Sequence, residues 1–359
     1  MRSFSSFGKL LCAAVGAPLL LNLAGCGSVA TTEDTGPVPA DKFDLSEWNI
    51  TLPADDNNDK KVDTVKIKEI QTYQHPDFFY VDENGHMVFT APNKALTTAN
   101  SSNTRSELRH MLRSFNTRIG TKAPQNNFAI DANPHSEDFG SVGGRLEATL
   151  KVNHVARRAG NPDKNPAYSV VVGQIHAGTY SPPVAGFGWG NEPLKIYYKK
   201  FPNQETGSVF WTYERNLPKK DANRVDVAYP VWGNTWENPD DPGAEGLALG
   251  DEFSYVVDVV GNVMNLTFTA PGRETVTYAV NLASNVDAYG KVDEFDHKWG
   301  YAGDWMYFKA GAYNQCSTKT QNGFWYAGCP GTGDWETDKA NGDYASVSFS
   351  RLVVESYKP

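Results

Sequence analysis

The sequence predicts an all-β protein, an antiparallel β-sandwich of jelly-roll type. Three observations carry that expectation. Short segments of alternating apolar and polar residues recur along the body of the chain, separated by turn residues. Helical periodicity is weak, and residues 65–70 are the one stretch that suits a short turn of helix. The 359 residues include 32 Gly and 21 Pro, the turn formers that many short strands require.

Composition removes other classes. Aromatics make up 12% and charged residues 21%, which is too aromatic for a disordered chain. One short apolar run, at the N-terminus, is too little for a multi-pass membrane protein. Length and cysteine content exclude a collagen and a small disulfide scaffold.

Read from the N-terminus, the first element is an address. Arg2 and Lys9 precede an apolar stretch at residues 10–21, which Pro18 interrupts. That is the pattern of an export signal. Leu23-Ala24-Gly25-Cys26 resembles the bacterial lipobox, so lipidation is expected at Cys26, with residues 1–25 removed. Gly27, with no Asp after the Cys, implies sorting to an outer membrane, which the domain would meet through its lipid anchor only. Residues 26–40 are small, polar and Pro-bearing, as in a flexible tether. Residues 41–359 then form one domain, expected to be monomeric.

Two cysteines remain after that assignment. Cys316 and Cys329 lie thirteen residues apart in an exported chain, and a disulfide is expected, contributing roughly 3 kcal/mol. No C-x-x-C and no neighbouring His supports a zinc pair, and no metal or cofactor is expected.

The body reads as strands at 86–91, 105–113, 144–152, 169–176, 194–199, 209–214, 253–260, 265–270, 274–280, 305–313 and 345–354. Three of them carry chemistry. In the first, alternation puts Arg105, Glu107, Arg109, Met111 and Arg113 on one face, with Ser106, Leu108, His110 and Leu112 opposite. Arginine forks suit carboxylates, although a solvated strand face would look the same. The second ends in Gln174-Ile175-His176, with Gln174 and His176 on one face. An imidazole there is a candidate general base, or an ordinary half-buried histidine. The third places Tyr307, Lys309, Gly311, Tyr313 and Gln315 together, a floor in which the Gly would allow close approach of a ligand. Together the three strands offer arginines, an amide, an imidazole, a lysine and phenols for one concave cleft.

These segments, Arg105-Ser106-Glu107-Leu108-Arg109, Gln174-Ile175-His176 and the run Tyr307-Phe308-Lys309-Ala310-Gly311-Ala312-Tyr313-Asn314-Gln315, resemble the signature motifs of polysaccharide lyase family 7, the alginate lyases. Their order and separation fit, and the opening Leu45-Ser46-Glu47-Trp48-Asn49-Ile50-Thr51-Leu52-Pro53 is similar to the family's first strand. The resemblance covers about residues 43–356 and implies a β-jelly roll with a cleft.

The chemistry has its own logic. A lyase acting on a uronate chain removes the C5 proton beside a carboxylate and expels the C4 oxygen. The carboxylate must first be neutralised and the enolate-like dianion stabilised. Arg105 and Gln174 suit that task. The resemblance implies that His176 is the base for guluronate and Tyr313 the acid, or acid and base together for mannuronate. A basic tyrosine would need a lowered pKa, which Arg105 or Lys309 would provide by proximity. Glu107, Arg109, Lys309, Gln315 and Tyr307 carry over as substrate contacts, with Glu107 also suited to orienting the arginines. In the family, Ile in the position of Ile175 accompanies guluronate-containing substrates, which implies a lean to poly-guluronate or mixed blocks and, by default, endolytic cleavage. The difference from Val is one methylene group, a weak discriminator.

Other readings compete. A carbohydrate-binding lipoprotein without catalysis would use the same sandwich, but it has no need of an acid and a base. A glycoside hydrolase needs two carboxylates flanking one bond, and only Glu107 stands out on these faces. Without residues 1–25 there are 31 basic against 42 acidic residues, a net charge of −11. No nucleic-acid partner is expected, and that charge opposes long-range attraction of alginate, so moderate salt should help. Asp55, Asn57 and Asp59 alternate like half a calcium loop, but Lys60 and Lys66 occupy the places of the Gly and the Glu, and a polar turn is expected. Tyr197, Trp211, Tyr213 and Trp232 suit either sugar stacking or core filling. Segments 178–190 and 229–250 are long enough to close over a cleft.

Overall fold

The computed structural model describes residues 36–179, 188–319 and 327–357. The leader, Cys26 and most of the tether lie outside the described residues. In chain order the strands are β1 (Trp48–Thr51), β2 (Thr64–Val65), β3 (Phe79–Val81), β4 (Met87–Pro92), β5 (Asn103–His110), β6 (Phe128–Ala129), β7 (Ser141–Val142), β8 (Gly144–His154) and β9 (Ser169–Thr179). They continue as β10 (Leu194–Lys199), β11 (Ser208–Glu214), β12 (Asp226–Trp232), β13 (Glu252–Val260), β14 (Val263–Thr269), β15 (Val276–Asn281), β16 (Asp304–Ser317), β17 (Ala327–Gly328) and β18 (Tyr344–Ser356). One short helix, α1 (Trp335–Asn341), starts where the Asp334 carboxylate accepts from the Thr337 amide, and stops at Gly342.

The strands form two sheets, as the alternation predicts. One runs β12-β11-β10-β9-β16-β5-β1-β2, and the other runs β15-β14-β13-β8-β18-β4-β3. Pairing is antiparallel except where the two-residue strands β17 and β7 meet β16 and β6. Between the sheets lies one large apolar core that includes Phe89, Leu108, Leu150, Val172, Ile175, Ile196, Trp211, Phe308 and Phe349. Strand β8 shows the cause, with buried and half-buried residues alternating along nearly its whole length. The jelly-roll sandwich is therefore as expected.

Several details differ from the sequence reading. The helical turn expected at residues 65–70 starts one residue later, the Ile70 amide donating to the Lys66 carbonyl at 2.9 Å. Val65 closes β2, and a 3-10 turn follows at Ile70–Thr72. Strand β5 stops at His110, so Met111 and Arg113 leave the face that was expected to hold them. Met111 is fully buried, and Arg113 donates through Nη1 to the Ile119 carbonyl. Within segment 229–250, the first residues belong to edge strand β12, paired with β11, and they do not cover a cleft. Residues 180–187 of the other long segment lie outside the described residues.

Two glycines set the height of the cleft floor. A Cβ on Gly173 would lie 2.5 Å from the Tyr255 hydroxyl, which reaches across from β13 and donates to the Val172 carbonyl. Gly311 has φ of +139°, and a Cβ there would meet Ser106 O at 2.5 Å and Phe89 of the other sheet at 3.2 Å. The strand register shifts beside it, between Ala310 and Tyr313. Gly311 thus serves a bulge and close packing against β5, and not the approach of a ligand as expected.

Candidate active site

The cleft lies on the outer face of the larger sheet, over β5, β16 and β9. Its volume is about 900 Å³, and it is lined by Arg105, Arg109, Gln174, His176, Tyr307, Lys309 and Tyr313, with Ser101, Lys122, Glu192 and Trp305 among their neighbours. Strand β16 is central. Its Lys309 pairs with Arg109 of β5 on one side and with Gln174 of β9 on the other. Tyr307 pairs with His176, and Tyr313 pairs with Arg105. Three segments far apart in sequence therefore meet in register, with the alternation putting their polar side chains on one face.

Glu107 sits beneath this floor. It is 2% exposed and does not line the cleft. Its carboxylate accepts from Arg105 Nη1 at 3.0 Å, from Lys309 Nζ and from Gln174 Nε2. Burial alone would raise the Glu107 pKa, but Lys309 and Arg105 hold it below the usual carboxylate range. Lys309 is pushed down to about 8 by burial and by Arg105, against the pull of Glu107. Glu107 therefore ties Arg105, Lys309 and Gln174 together from a buried position.

The aromatic residues are held by the cations. The Arg105 guanidinium carbon lies 3.9 Å from the Tyr313 ring centroid, and that of Arg109 lies 4.0 Å from the Tyr307 centroid. Arg105 also donates to Ser101 Oγ at 3.0 Å, and that hydroxyl is 3.3 Å from the Tyr313 hydroxyl. Arg109 spends its donors on the His110 and Thr121 carbonyls and on Asn127 Oδ1. Gln315 does not line the cleft, and its amide donates to the Tyr313 carbonyl. Ile175 faces the core between the sheets and is fully buried. Any influence on a sugar passes through the backbone of its two neighbours.

His176 is stacked on Tyr307, ring centroids 5.3 Å apart and planes 11° from parallel. Its Nδ1 lies 2.7 Å from the Ala177 carbonyl, and its Nε2 lies 3.1 Å from Glu192 Oε1. Burial lowers its pKa below the ordinary histidine value, Glu192 opposes that, and Lys309 and Arg105 add to it. Glu192 escaped the sequence reading. It lies in the irregular stretch before β10, where no alternation assigns it a face.

The remaining candidates divide. Trp211, Tyr213 and Trp232 are buried in the core between the sheets, whereas Tyr197 is buried outside it. Tyr197 stacks on Phe210 beside Trp236, in an apolar cluster that also touches Tyr313. Cys316 and Cys329 form the expected disulfide, three residues beyond Tyr313. In the 55–59 turn, Asp55 accepts from the amides of Asp59 and Lys60, and Asn57 also accepts from the Asp59 amide. Those oxygens serve the loop's own backbone, as in a polar turn.

A jelly roll whose polar cleft gathers cations around an imidazole and a phenol carries the groups that a polysaccharide lyase for acidic chains needs. Residues 43–356 match the family model described as alginate lyase. The alginate lyase of Klebsiella pneumoniae is 38% identical over 292 residues, 79% of this chain and 86% of that protein. The crystal structure of an alginate lyase from the same species has a TM-score of 0.69 at 33% identity, covering 89% of this chain and 99% of that one. The exolytic family 7 alginate lyase of Zobellia galactanivorans has a TM-score of 0.70 at 32% identity, covering 90% and 99%. The chain belongs to polysaccharide lyase family 7, the alginate lyases.

Proposed function

We propose that the chain cleaves alginate by β-elimination within the polymer, leaning to guluronate-containing blocks, with His176 as base and Tyr313 as acid. One observation carries the assignment of roles. The His176 imidazole and the Tyr313 phenol border one cleft whose floor between them is cationic and hydrogen-bonding. Arg105 and Gln174 receive the substrate carboxylate there, because both are aimed by Glu107 and both face the cleft. Their hydrogen bonds lower the cost of placing a second negative charge beside C5. His176 takes the C5 proton. The electron pair passes into the C4–C5 bond, the C4–O bond breaks, and the Tyr313 hydroxyl protonates the leaving oxygen. On mannuronate, where C5–H and C4–O lie on the same side, Tyr313 serves both ends of the step.

The endolytic mode rests on a cleft of about 900 Å³, room for more than one sugar ring. The exolytic relative from Zobellia favours the second reading, release from chain ends. The guluronate lean rests on Ile175, which acts from behind the floor. The test is the ultraviolet absorbance of the unsaturated uronate on poly-guluronate and poly-mannuronate, with product lengths followed in time. Long early products mean internal cleavage, whereas monomer from the outset means exolysis. No absorbance from either polymer with folded protein would leave the binding reading.

We also propose that residues 1–25 form a lipoprotein signal, 26–40 a tether and 41–359 the catalytic domain, with Cys26 lipid-anchored at the outer membrane. Leu23-Ala24-Gly25-Cys26 supports this. Cys26→Ser should release the activity from the membrane fraction, and an unchanged distribution would refute the anchor.

A further inference from the structure

His176 meets acceptors on both sides of its ring. Ala177 O, a carbonyl, takes only a donated proton, so Nδ1 carries one. The nitrogen left for chemistry is Nε2, and it faces the Glu192 carboxylate at 3.1 Å. Glu192 is not isolated. Lys195 Nζ lies 3.5 Å from Glu192 Oε2, 3.6 Å from Glu214 and 3.1 Å from Asp226. Arg224 closes on Glu214 at 2.7 Å and donates to Asn191 Oδ1 at 2.9 Å. The Glu192 amide donates to Glu214 Oε2 at 3.1 Å, which locks the glutamate's own backbone to the cluster.

Glu192, Glu214 and Asp226 face two cations, Lys195 and Arg224. One negative charge is left over beside the imidazole, unless a carboxyl holds a proton. Lys309 and Arg105 approach His176 from β16 and β5 with the opposite sign. Burial and Glu192 raise the pKa of Glu214 well above the carboxyl range, so Glu214 is the carboxyl that holds a proton, while Lys195 keeps Glu192 charged beside the ring.

We propose that Glu192 is a positioning residue for His176, its carboxylate set beside Nε2 so that its charge stabilises the imidazolium that forms when the C5 proton is taken. This rests on the reading of His176 as base. The C5–H bond breaks and the Nε2–H bond forms. The electron pair remains with the sugar and expels the C4 oxygen, which Tyr313 protonates. The charge gained by the ring lies beside the ionised Glu192 carboxylate, and the proton leaves Nε2 to water in the cleft. The Lys195, Glu214, Asp226 and Arg224 cluster keeps the carboxylate ionised and fixed in place.

The test uses the full chain with Glu192→Gln, which keeps shape and removes charge. The acid limb of kcat/KM should move to lower pH by about one unit, because the carboxylate that favours the imidazolium is gone. The kcat on the plateau should fall about tenfold or more, while KM holds or falls as a negative charge leaves the cleft. The ring-nitrogen NMR titration of His176 without substrate should move the same way. Glu192→Asp should lie between the two, and it carries the test if the Gln variant does not fold. An acid limb and an NMR midpoint equal to the parent's would overturn the proposal. Full activity in His176→Ala would instead overturn the base assignment, whatever Glu192→Gln does.

Discussion

Arg105 lies directly across the strand register from Tyr313, its guanidinium carbon 3.9 Å from the centroid of the phenol ring. The cation therefore holds the ring and stands beside the phenol oxygen, with Ser101 bridging the two. Tyr313→Phe keeps that stack and removes only the proton. Its kcat should fall about 100-fold or more, with thermal unfolding close to the parent's. Circular dichroism melts beside the absorbance assay separate the two effects. A Tyr313→Phe enzyme with parental kcat would exclude the phenol as acid.

The pH dependence follows from two groups. His176 lies below the usual histidine value because of burial, so it is neutral and able to accept a proton from below pH 6.5 upward. Lys309, at about 8, loses its charge above that pH, and the floor then holds a uronate carboxylate less well. A bell-shaped kcat/KM is expected, with its acid limb below 6.5 and its alkaline limb near 8. Lys309→Arg should move the alkaline limb upward, because a guanidinium stays charged. His176 and the buried His110, both lowered, also bind protons more readily when unfolded. They add stability above the unfolded value near 6.5, and that contribution fades as pH falls through their folded values.

Glu107 is the keystone for three side chains. Glu107→Ala leaves Lys309 and Arg105 buried without their counter-charge and should cost about 3–5 kcal/mol. Urea unfolding reads this directly. A loss below about 1 kcal/mol would mean that the cations find water or each other tolerable.

Reduction of the bridge between Cys316 and Cys329 should lower stability by about 2–4 kcal/mol. The bridge begins three residues past Tyr313, so a reduced enzyme should also lose activity at temperatures below its melt. Parallel melts and rates with and without a reductant check this. Coincident curves would show that the bridge is a bystander.

The net charge of −9 opposes a polyanion at a distance, while the cleft attracts it nearby. Activity should rise from very low salt to moderate salt, as screening removes the long-range part first. A rate series in sodium chloride tests it. Steady decline from the lowest salt upward would mean that the cleft dominates at every distance.

Much of this was legible in the sequence, because a strand writes its two faces into alternate letters. Ser106, Leu108 and His110 point inward and Arg105, Glu107 and Arg109 outward, as the period of two required. Where the strand ends, that rule ends, which is why Arg113 was misplaced. Glu192 was invisible for a related reason: it lies between strands, and only the folded chain brings it to His176. Strand β12 was hidden by Pro230 and by its polar start, both tolerated because it is a sheet edge. Gly311 was noticed for the wrong reason, since a letter does not say on which side the space is needed.

The salt bridge from Lys309 to Glu107 spans 202 positions of the chain, and the hydrogen bond from Gln174 spans 67. Contacts of such long sequence separation form late and slowly. No N-terminal portion that lacks β16 has the central strand of the cleft. On the ribosome, and on any route that carries the chain out unfolded, the protein is inert by construction. Its cleft is complete only once β16, which begins in the last sixth of the polypeptide, has been made.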